Sequence, residues 1–333
     1  MSLFTRGFGL AAALGLWSGA AAALCTGTDL RTELSAEDRA EIAAEVAAEP
    51  YADSIAYAAR RGDARLVLFG TVHLAQVEMP PLVTDTLAEA RLLLVEATEE
   101  DSAEAQAALR TRRDLILGDP NQPLSVDLTG DEWSSVVAGL AQFGIPPSAG
   151  DLIQPWFAAV MTTIPTCVLA DQGSDAVLDA RIARAAADLG VPARSVEPPT
   201  TVFTLFSSIS RDSQLTLLRS GLATLDLAED TVFTLAEGWK DNAVVEAVLA
   251  TERVGEDGAT EEALLAAGAE LEERLLVERN RLWMPAILAA ADAGGTTLIA
   301  VGAAHLPGEA GLLALLAEAG FTLTPLDPFT PAQ

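Results

Sequence analysis

The sequence predicts an α/β fold whose central mixed β-sheet comes from the N- and C-terminal portions of the chain. Three apolar runs, at 65–70, 91–97 and 296–302, have the length and composition of buried strands. The stretch at about 102–278, by contrast, has a mostly helical pattern that glycine and proline interrupt. We therefore expect a large, mostly helical insertion in the middle of the chain.

The elements around these strands follow from local signals. Ser35 and Asp38 form a capping-box pattern that begins a helix, and Pro285 is expected to bend a long helix. A short helix between the first two strand-like runs predicts a βαβ unit. Helices are predicted at 35–48, 81–90, 261–293 and 309–319, and further strands at 193–197 and 321–325.

Residues 1–23 have the pattern of a bacterial-type signal peptide, with Arg6 as the positive charge before a short apolar run. We expect cleavage at the end of this segment and a single exported domain over 24–333, periplasmic or extracellular, with no stable membrane span. The alternative is an uncleaved membrane anchor. Lipidation of Cys25 is disfavoured because Leu24 is larger than lipoprotein processing requires.

Cys25 and Cys167 are the two cysteines of the chain. In an oxidising compartment, an even pair is typical of a disulfide, which here would tie the mature N-terminus to the body of the protein. The alternative is two unpaired thiols, one of them buried.

The charge balance of the chain bears on its partners. The formal net charge is -28, with 48 acidic residues against 20 lysines and arginines. Such a surface repels phosphate backbones, which disfavours nucleic-acid binding. Because 50% of the residues are hydrophobic, the chain also has enough apolar material for a large core.

The two histidines of the chain, His73 and His305, have matching sequence contexts. Each follows a glycine by three residues, Gly70 or Gly302, and each glycine ends an apolar run. In an open α/β sheet, ligands bind beyond the carboxyl ends of the strands, and glycine allows a tight turn or a close approach there. We therefore expect both histidines in one site, the alternative being two structural histidines.

A carboxylate and an arginine complete the candidate site. Glu96 lies near the end of the run at 91–97, where an unpaired buried charge would be costly. It could be a third metal ligand beside the histidines, since catalytic metal sites usually have three protein ligands. It could instead form a salt bridge with Arg279, which could also hold a substrate carbonyl, a carboxylate or an oxyanion.

Several catalytic motifs are missing from the sequence. It contains no His-Glu-x-x-His, no P-loop and no dinucleotide-binding glycine pattern. It also lacks a nucleophile elbow, which disfavours an ordinary serine hydrolase. The candidate chemistry therefore rests on the two histidines and Glu96.

These motifs together resemble the TraB/GumN family, which includes the Tiki metalloproteases and pheromone-shutdown proteins. The resemblance covers roughly 66–326 and rests on Phe-Gly-Thr-Val-His73-Leu, Leu-Val-Glu96-Ala-Thr, Glu-Arg279-Asn280 and Val-Gly-Ala-Ala-His305-Leu-Pro-Gly308, with softer matches at Pro155-Trp156 and Gly173-Ser-Asp175. Val196-Glu197 resembles the family's Leu-Glu-Thr, but Pro198 and Pro199 replace its usual continuation.

The resemblance implies a peptidase-like hydrolase that cleaves amide bonds with a divalent metal ion, manganese or cobalt first and zinc as a further option. The substrate would be a peptide or another small molecule. The residues carried over by position are His73, Glu96 and His305 as metal ligands and catalytic residues, Arg279 as catalytic, and Asn280, Gly70 and Gly302 in support. Two alternatives are a metal-free, esterase-like hydrolase with one histidine as general base, and a non-catalytic protein that binds a haem-like ligand.

Overall fold

A computed structural model describes residues 25–74, 77–171, 177–254 and 261–330, and the predicted signal peptide at 1–23 lies outside them. The fold is α/β, with one mixed six-stranded sheet and a mostly helical middle, which confirms the predicted fold class. The strands are β1 (Ala56–Arg61), β2 (Ala64–Thr71), β3 (Ala90–Val95), β4 (Ala193–Ser195), β5 (Gly295–Gly302) and β6 (Thr322–Pro325).

The strand order across the sheet is β4-β3-β5-β2-β1-β6. β5 pairs in parallel with both β2 and β3, and β3 pairs in parallel with β4. β1, which the sequence pattern did not predict, pairs antiparallel with β2 and β6. The predicted βαβ unit is present in a split form: β2 and β3 are parallel and joined through α2, and the wholly apolar and buried segment 298–301 of β5 lies between them.

Helices surround the sheet and form the middle of the chain. They are α1 (Ala36–Ala48), α2 (Pro81–Glu89), α3 (Glu99–Thr111), α4 (Leu124–Asp127), α5 (Gly130–Ala141), α6 (Pro147–Gly150), α7 (Pro155–Thr163), α8 (Thr166–Asp171), α9 (Leu178–Asp188), α10 (Thr201–Ser208), α11 (Arg211–Ala223), α12 (Ala228–Lys240), α13 (Val244–Val254), α14 (Glu261–Glu272), α15 (Glu278–Asp292) and α16 (Leu312–Glu318). The capping box predicted for α1 is present, since Ser35 Oγ accepts from the Asp38 backbone N–H and the Asp38 carboxylate accepts from the Ser35 N–H.

The long helix predicted at 261–293 is interrupted by a π-helical turn at Glu273–Val277, which joins α14 to α15. α15 continues through Pro285, where the bend stays a prediction.

The central strands are buried on both faces of the sheet. One face packs against α2, α9 and α12 in a cluster that contains Phe69 and Trp239. The opposite face packs against α15 and α16 in a cluster that contains Leu68 and Trp283. Because consecutive side chains of a strand point to opposite faces, burial of both faces explains the continuous apolar runs of the sequence. The helical middle has a core of its own around Trp156.

A disulfide joins Cys25 to Cys167 in α8, which confirms the predicted pairing. It ties the first described residue to the helical middle across 142 residues of sequence. Disulfides are typical of oxidising compartments, and export itself stays a prediction because its signal lies outside the described residues. None of the helices in the described ranges is long and apolar enough to cross a membrane.

Candidate active site

The carboxyl ends of four parallel strands meet at one edge of the sheet. Thr71 of β2 pairs with Gly302 of β5, while Val95 of β3 pairs with Ala300 of β5 and with Ser195 of β4. The residues that follow these strands therefore collect at this edge. They include His73 after β2, Glu96 after β3, Glu197 after β4 and His305 after β5.

Arg279 joins these strand ends from α15 and is buried, with 5% of its surface exposed. Its Nε and Nη2 donate to Glu197, and Nη2 also donates to Glu96 Oε2 at 2.5 Å. The remaining nitrogen, Nη1, donates to Leu275 O at 3.4 Å and to His305 Nε2 at 3.3 Å. Burial alone would lower the pKa of Arg279, but Glu96 and Glu197 outweigh it and raise that pKa. All five N–H groups of the guanidinium are thus engaged. The salt bridge expected between Arg279 and Glu96 is therefore present, and the substrate-holding role of Arg279 stays a prediction.

The π-helical turn before α15 helps to place Arg279. Such a turn changes the hydrogen-bond spacing of a helix and is frequent at functional sites. Leu275 lies within it, and its carbonyl oxygen accepts from Arg279 Nη1. On the other side, the guanidinium carbon lies 4.8 Å from the ring centroid of Trp283, whose Nε1 donates to Glu197 at 2.8 Å. The irregular turn therefore lies beside the site.

Glu96 has different partners on its two oxygens. Oε2 accepts from Arg279, whereas Oε1 accepts from the Gly302 backbone N–H at 2.7 Å and lies 3.9 Å from His305 Nε2. Burial alone would raise the pKa of Glu96, but the positive charge of Arg279, together with the nearby imidazoles and the Gly302 backbone N–H, outweighs it and holds that pKa well below its usual range. The salt bridge with Arg279, one of the two roles expected for Glu96, is present in the structure.

Glu197 is absent from the predicted site, although its sequence context contains a signal. It follows the short strand β4 as Glu96 follows β3, and each glutamate comes directly after a valine. With 6% of its side chain exposed, Glu197 is buried against Arg279. A second carboxylate at a neighbouring strand end could therefore have been found by comparing the two strand ends.

His305 is buried, and its partners define its tautomer. Asn280 Nδ2 donates to the backbone oxygens of His305 and Ala310, so Asn280 Oδ1 accepts from the Nδ1–H of the ring at 2.7 Å. Nε2 therefore keeps its lone pair and accepts from Arg279 Nη1. Burial, together with the positive charge of Arg279, lowers the pKa of His305 to about 3. The imidazole is neutral at pH 7.

His73 has a contrasting environment, with 25% of its side chain exposed. Its Nδ1 lies 2.9 Å from Asp179 Oδ2, and the two groups form an ion pair when the ring is protonated. The other oxygen of Asp179 accepts from Thr71 Oγ1 at 2.7 Å. Burial alone would lower the pKa of His73, but the carboxylates of Asp179 and Glu96 outweigh it and raise that pKa to about 9. His73 is therefore positively charged at pH 7.

Asp179 is also absent from the predicted site. It lies in the first turn of α9, 108 residues after Thr71, and no strand-end or glycine pattern marks it. The softer family-like match at 173–175 precedes it, but those residues lie outside the described ranges. Only the packing of α9 against the strand ends brings Asp179 to His73.

The site has an excess of negative charge. With both imidazoles neutral, the three carboxylates of Glu96, Glu197 and Asp179 and the one guanidinium of Arg279 sum to a net charge of minus two. Buried charges are costly unless they are compensated. The site therefore favours additional positive charge, which a proton on His73 supplies in part and a bound cation could supply further.

Gly70 and Gly302 allow close contacts rather than unusual backbone angles. Gly302 has φ -49° and ψ 134°, and Gly70 is not among the glycines with positive φ. A Cβ atom at Gly70 would lie 2.7 Å from Ala303 Cα, whereas one at Gly302 would lie 3.2 Å from Glu96 Oε1. The first glycine lets two strand-end loops pack together, and the second leaves room for the carboxylate that its own N–H binds.

Two observations bear on the metal ion that the family resemblance implies. Each imidazole has its Nδ1 beside a side-chain oxygen, of Asn280 or Asp179, as is usual for metal-binding histidines. The guanidinium of Arg279, however, contacts both Glu96 and His305. In the part of the chain that the structure describes, no group of three or more His, Cys, Asp or Glu side chains is arranged to hold a metal ion. The donor types and ring orientations fit a divalent ion, but their spacing does not form a ready-made site.

A family model described as the TraB/PrgY/gumN family matches residues 55–325. This range contains all six strands of the sheet and every residue of the site described above. The chain therefore belongs to the TraB/PrgY/gumN family, as its motifs suggest. No curated protein and no solved structure gives a significant match.

Proposed function

From this family membership and the site geometry, we propose that the chain is an exported, peptidase-like hydrolase that cleaves an amide bond with the help of a divalent metal ion. The observation that carries the proposal is the excess negative charge beside two oriented imidazoles at one sheet edge. Such charge attracts a divalent cation, and imidazole and carboxylate groups are ligands that manganese, cobalt and zinc accept. The substrate would be a peptide or another small molecule.

The residues that would hold the ion are His73, Glu96 and His305. We propose manganese or cobalt first, with zinc as a further option. When bound, such an ion would lower the pKa of a water molecule and polarise the scissile carbonyl group.

The outer partners of the histidines orient the two rings. Asn280 Oδ1 accepts the Nδ1 proton of His305 and so leaves the lone pair on Nε2. Asp179 attracts His73 Nδ1, and Thr71 in turn fixes the Asp179 carboxylate. Partners of this kind contribute about 10–100-fold to metal affinity or activity in metal sites.

Arg279 and Glu197 orient the third proposed ligand. Arg279 donates to both glutamates, so it keeps Glu96 ionised and its side chain in one place. The Gly302 backbone N–H holds the other oxygen of Glu96. Glu96 would therefore act as a preformed anion, either as a ligand or as the general base for the attacking water.

Metal content and amide hydrolysis together test this proposal. The mature chain would be loaded with Mn²⁺, Co²⁺ or Zn²⁺, desalted and analysed for bound metal, and its cleavage of a peptide mixture would be followed by mass spectrometry. We expect roughly one ion per chain and metal-dependent cleavage, both reduced at least about tenfold in His73→Ala. The exposed Arg112→Gln variant serves as control and should match the wild type.

The two parts of the proposal can fail separately. If the wild-type chain binds none of the three metals and its cleavage of peptides survives exhaustive chelation, the metal part is wrong. If the chain binds metal but cleaves no amide bond in the mixture, the peptidase part is wrong. Circular dichroism of each variant shows whether a loss reflects unfolding instead.

A metal-free, esterase-like hydrolase is the second candidate, and the contact between Arg279 and His305 favours it. The guanidinium of Arg279 already places a positive charge beside Glu96 and His305, where a metal ion would otherwise bind. His73, whose pKa is raised to about 9, would be protonated at pH 7 and could donate a proton to a leaving group. Ester hydrolysis that survives chelation and is lost in His73→Gln would support this candidate over the metal-dependent one.

The third alternative, binding of a haem-like ligand, gains no support from the contacts of His305. This histidine is 3% exposed, and both of its ring nitrogens have side-chain partners. We therefore expect haem titration of the mature chain to give no Soret shift that depends on His305.

A further inference from the structure

A groove in the helical middle lies apart from the residues of the candidate active site. Two adjoining cavities of about 340 and 420 Å³ share Leu109, Arg110 and Ile116 as lining residues. Phe157 lines one cavity, and Arg113 and Leu117 line the other. We call the surface formed by these six residues the insertion groove. Each cavity is in the size range of small-molecule sites.

The apolar wall of the insertion groove is held in place by the protein itself. The backbone N–H of Gln154 donates to Ile116 O at 2.8 Å, and its side-chain Nε2 lies 3.3 Å from Leu117 O. Leu109 and Phe157 belong to the core of the helical middle. The groove is therefore formed before any ligand arrives, which lowers the entropic cost of binding.

Two arginines give the insertion groove a positive charge. Among the described residues, Arg113 has no side-chain ion pair or hydrogen bond, and Arg110 uses only Nε, which donates to Gln106 O at 3.3 Å. Arg112, between them in sequence, is instead paired with Asp114 at 2.7 Å. In a chain of net charge -28, two guanidinium groups without an acidic partner beside an apolar surface indicate an anionic ligand.

We propose that the insertion groove binds a small amphipathic anion, that is, an alkyl chain with a carboxylate or phosphate head group. The alkyl chain would lie against Leu109, Ile116 and Phe157, and the head group would pair with Arg110 and Arg113. A guanidinium matches either head group with two parallel hydrogen bonds. This site does not depend on the proposed hydrolase activity, so each can be tested without the other.

Calorimetric titration of the mature chain with alkyl anions tests the proposal. Octanoate and octyl phosphate are the ligands, acetate is a head group without a tail, and octylammonium is a tail with the opposite charge. We expect both alkyl anions to bind, and acetate and octylammonium to bind at least about tenfold more weakly. The double variant Arg110→Gln with Arg113→Gln should weaken binding of the alkyl anions at least about tenfold. Arg112, which is already paired with Asp114, provides the matched control. The affinity of Arg112→Gln for the alkyl anions should stay within about twofold of the wild-type affinity.

Four results would overturn the proposal. They are no binding of either alkyl anion to the wild-type chain, equal binding of acetate, an equal loss in Arg112→Gln, and binding to anionic lipid vesicles without binding of the soluble alkyl anions. The last result would indicate a membrane contact instead of a small-molecule site. All three arginines are exposed, so the substitutions should leave the fold intact, and circular dichroism checks this.

Discussion

The loops that carry His73 and His305 have the same glycine-to-histidine spacing, but they place the two rings in opposite environments. His73 keeps 25% of its side chain exposed and lies beside the carboxylate of Asp179. His305 is 3% exposed and lies between Asn280 and the guanidinium of Arg279. At pH 7 the first ring is therefore a cation and the second a neutral acceptor.

The difference comes from residues outside the two loops. Asp179 reaches His73 from α9, whereas Arg279 and Asn280 reach His305 from α15. The repeated motif thus brings an imidazole to each strand end, and the helices packed there decide its charge. Four predictions test this contrast.

The largest expected effect comes from removing the cation on the His305 side. Arg279→Met leaves the buried carboxylates of Glu96 and Glu197 without the guanidinium that both contact, so we expect the free energy of unfolding to fall by about 3–5 kcal/mol. Urea-induced unfolding measures this. The control is Arg281→Met, because Arg281 is 62% exposed and its ion pair with Glu273 should contribute less than about 1 kcal/mol. Equal effects of the two substitutions would contradict the central role of Arg279.

The next effect concerns the carboxylate on the His73 side. Asp179→Asn replaces the carboxylate with a neutral amide, which does not offset the effect of burial on the His73 ring. The pKa of His73 should therefore fall from about 9 to 6.5 or below. That is a roughly 300-fold change in proton affinity, which an NMR titration of the chain without added metal can follow. Thr71→Val is the control, since it keeps the Asp179 charge and should retain most of the shift. A pKa still near 9 in Asp179→Asn would refute the assignment.

The two histidines should also make opposite contributions to stability as the pH changes. The raised pKa of His73 stabilises the folded chain below pH 6.5, and this contribution is lost as the pH rises through about 9. The lowered pKa of His305 stabilises it above pH 6.5, and that contribution is lost as the pH falls toward 3. The stability difference between wild type and His73→Gln should therefore shrink between pH 6 and 9, by at most about 3 kcal/mol.

The same stability measurement at acid pH tests the contribution of His305. The stability difference between wild type and His305→Gln should shrink as the pH falls below 6.5, because the unfolded chain then takes up a proton that the folded chain does not. Urea unfolding at several pH values, in metal-free buffer, gives both differences. Parallel pH profiles for wild type and either variant would contradict the opposite charges assigned to the rings.

The smallest effect distinguishes the two motif glycines. Gly70→Ala would push a Cβ atom against the Ala303 backbone, so we expect a loss of about 1–3 kcal/mol in the free energy of unfolding. A Cβ atom in Gly302→Ala would lie 3.2 Å from Glu96 Oε1 and 3.5 Å from His305 Cδ2, which are milder contacts than those at Gly70, so a loss of less than about 1 kcal/mol is expected. Thermal unfolding of both variants compares them, and a larger loss for Gly302→Ala would reverse the assigned roles.

The central strands β2, β3 and β5 were predictable, whereas β1, which lies between β2 and β6, was not. β2, β3 and β5 are buried on both faces, and that burial requires the continuous apolar runs that the sequence displays. β1, at Ala56–Arg61, is rich in alanine and arginine, which are not typical of strands. It pairs with β2 through a tight turn in which Gly62 has φ 57°. Its pairing with β2 on one side and β6 on the other makes the segment a strand.

Local patterns in the chain are enough to predict the α/β fold class, the disulfide partners and the positions of His73, Glu96 and His305 at strand ends, because parallel strands end at one edge of a sheet. Three other features depend on how distant segments pack. β5 separates β2 from β3, Asp179 faces His73, and Arg279 donates to Glu96, Glu197 and His305. No local pattern specifies these contacts, because charge and hydrogen bonding in a buried site depend on distances between segments far apart in the chain.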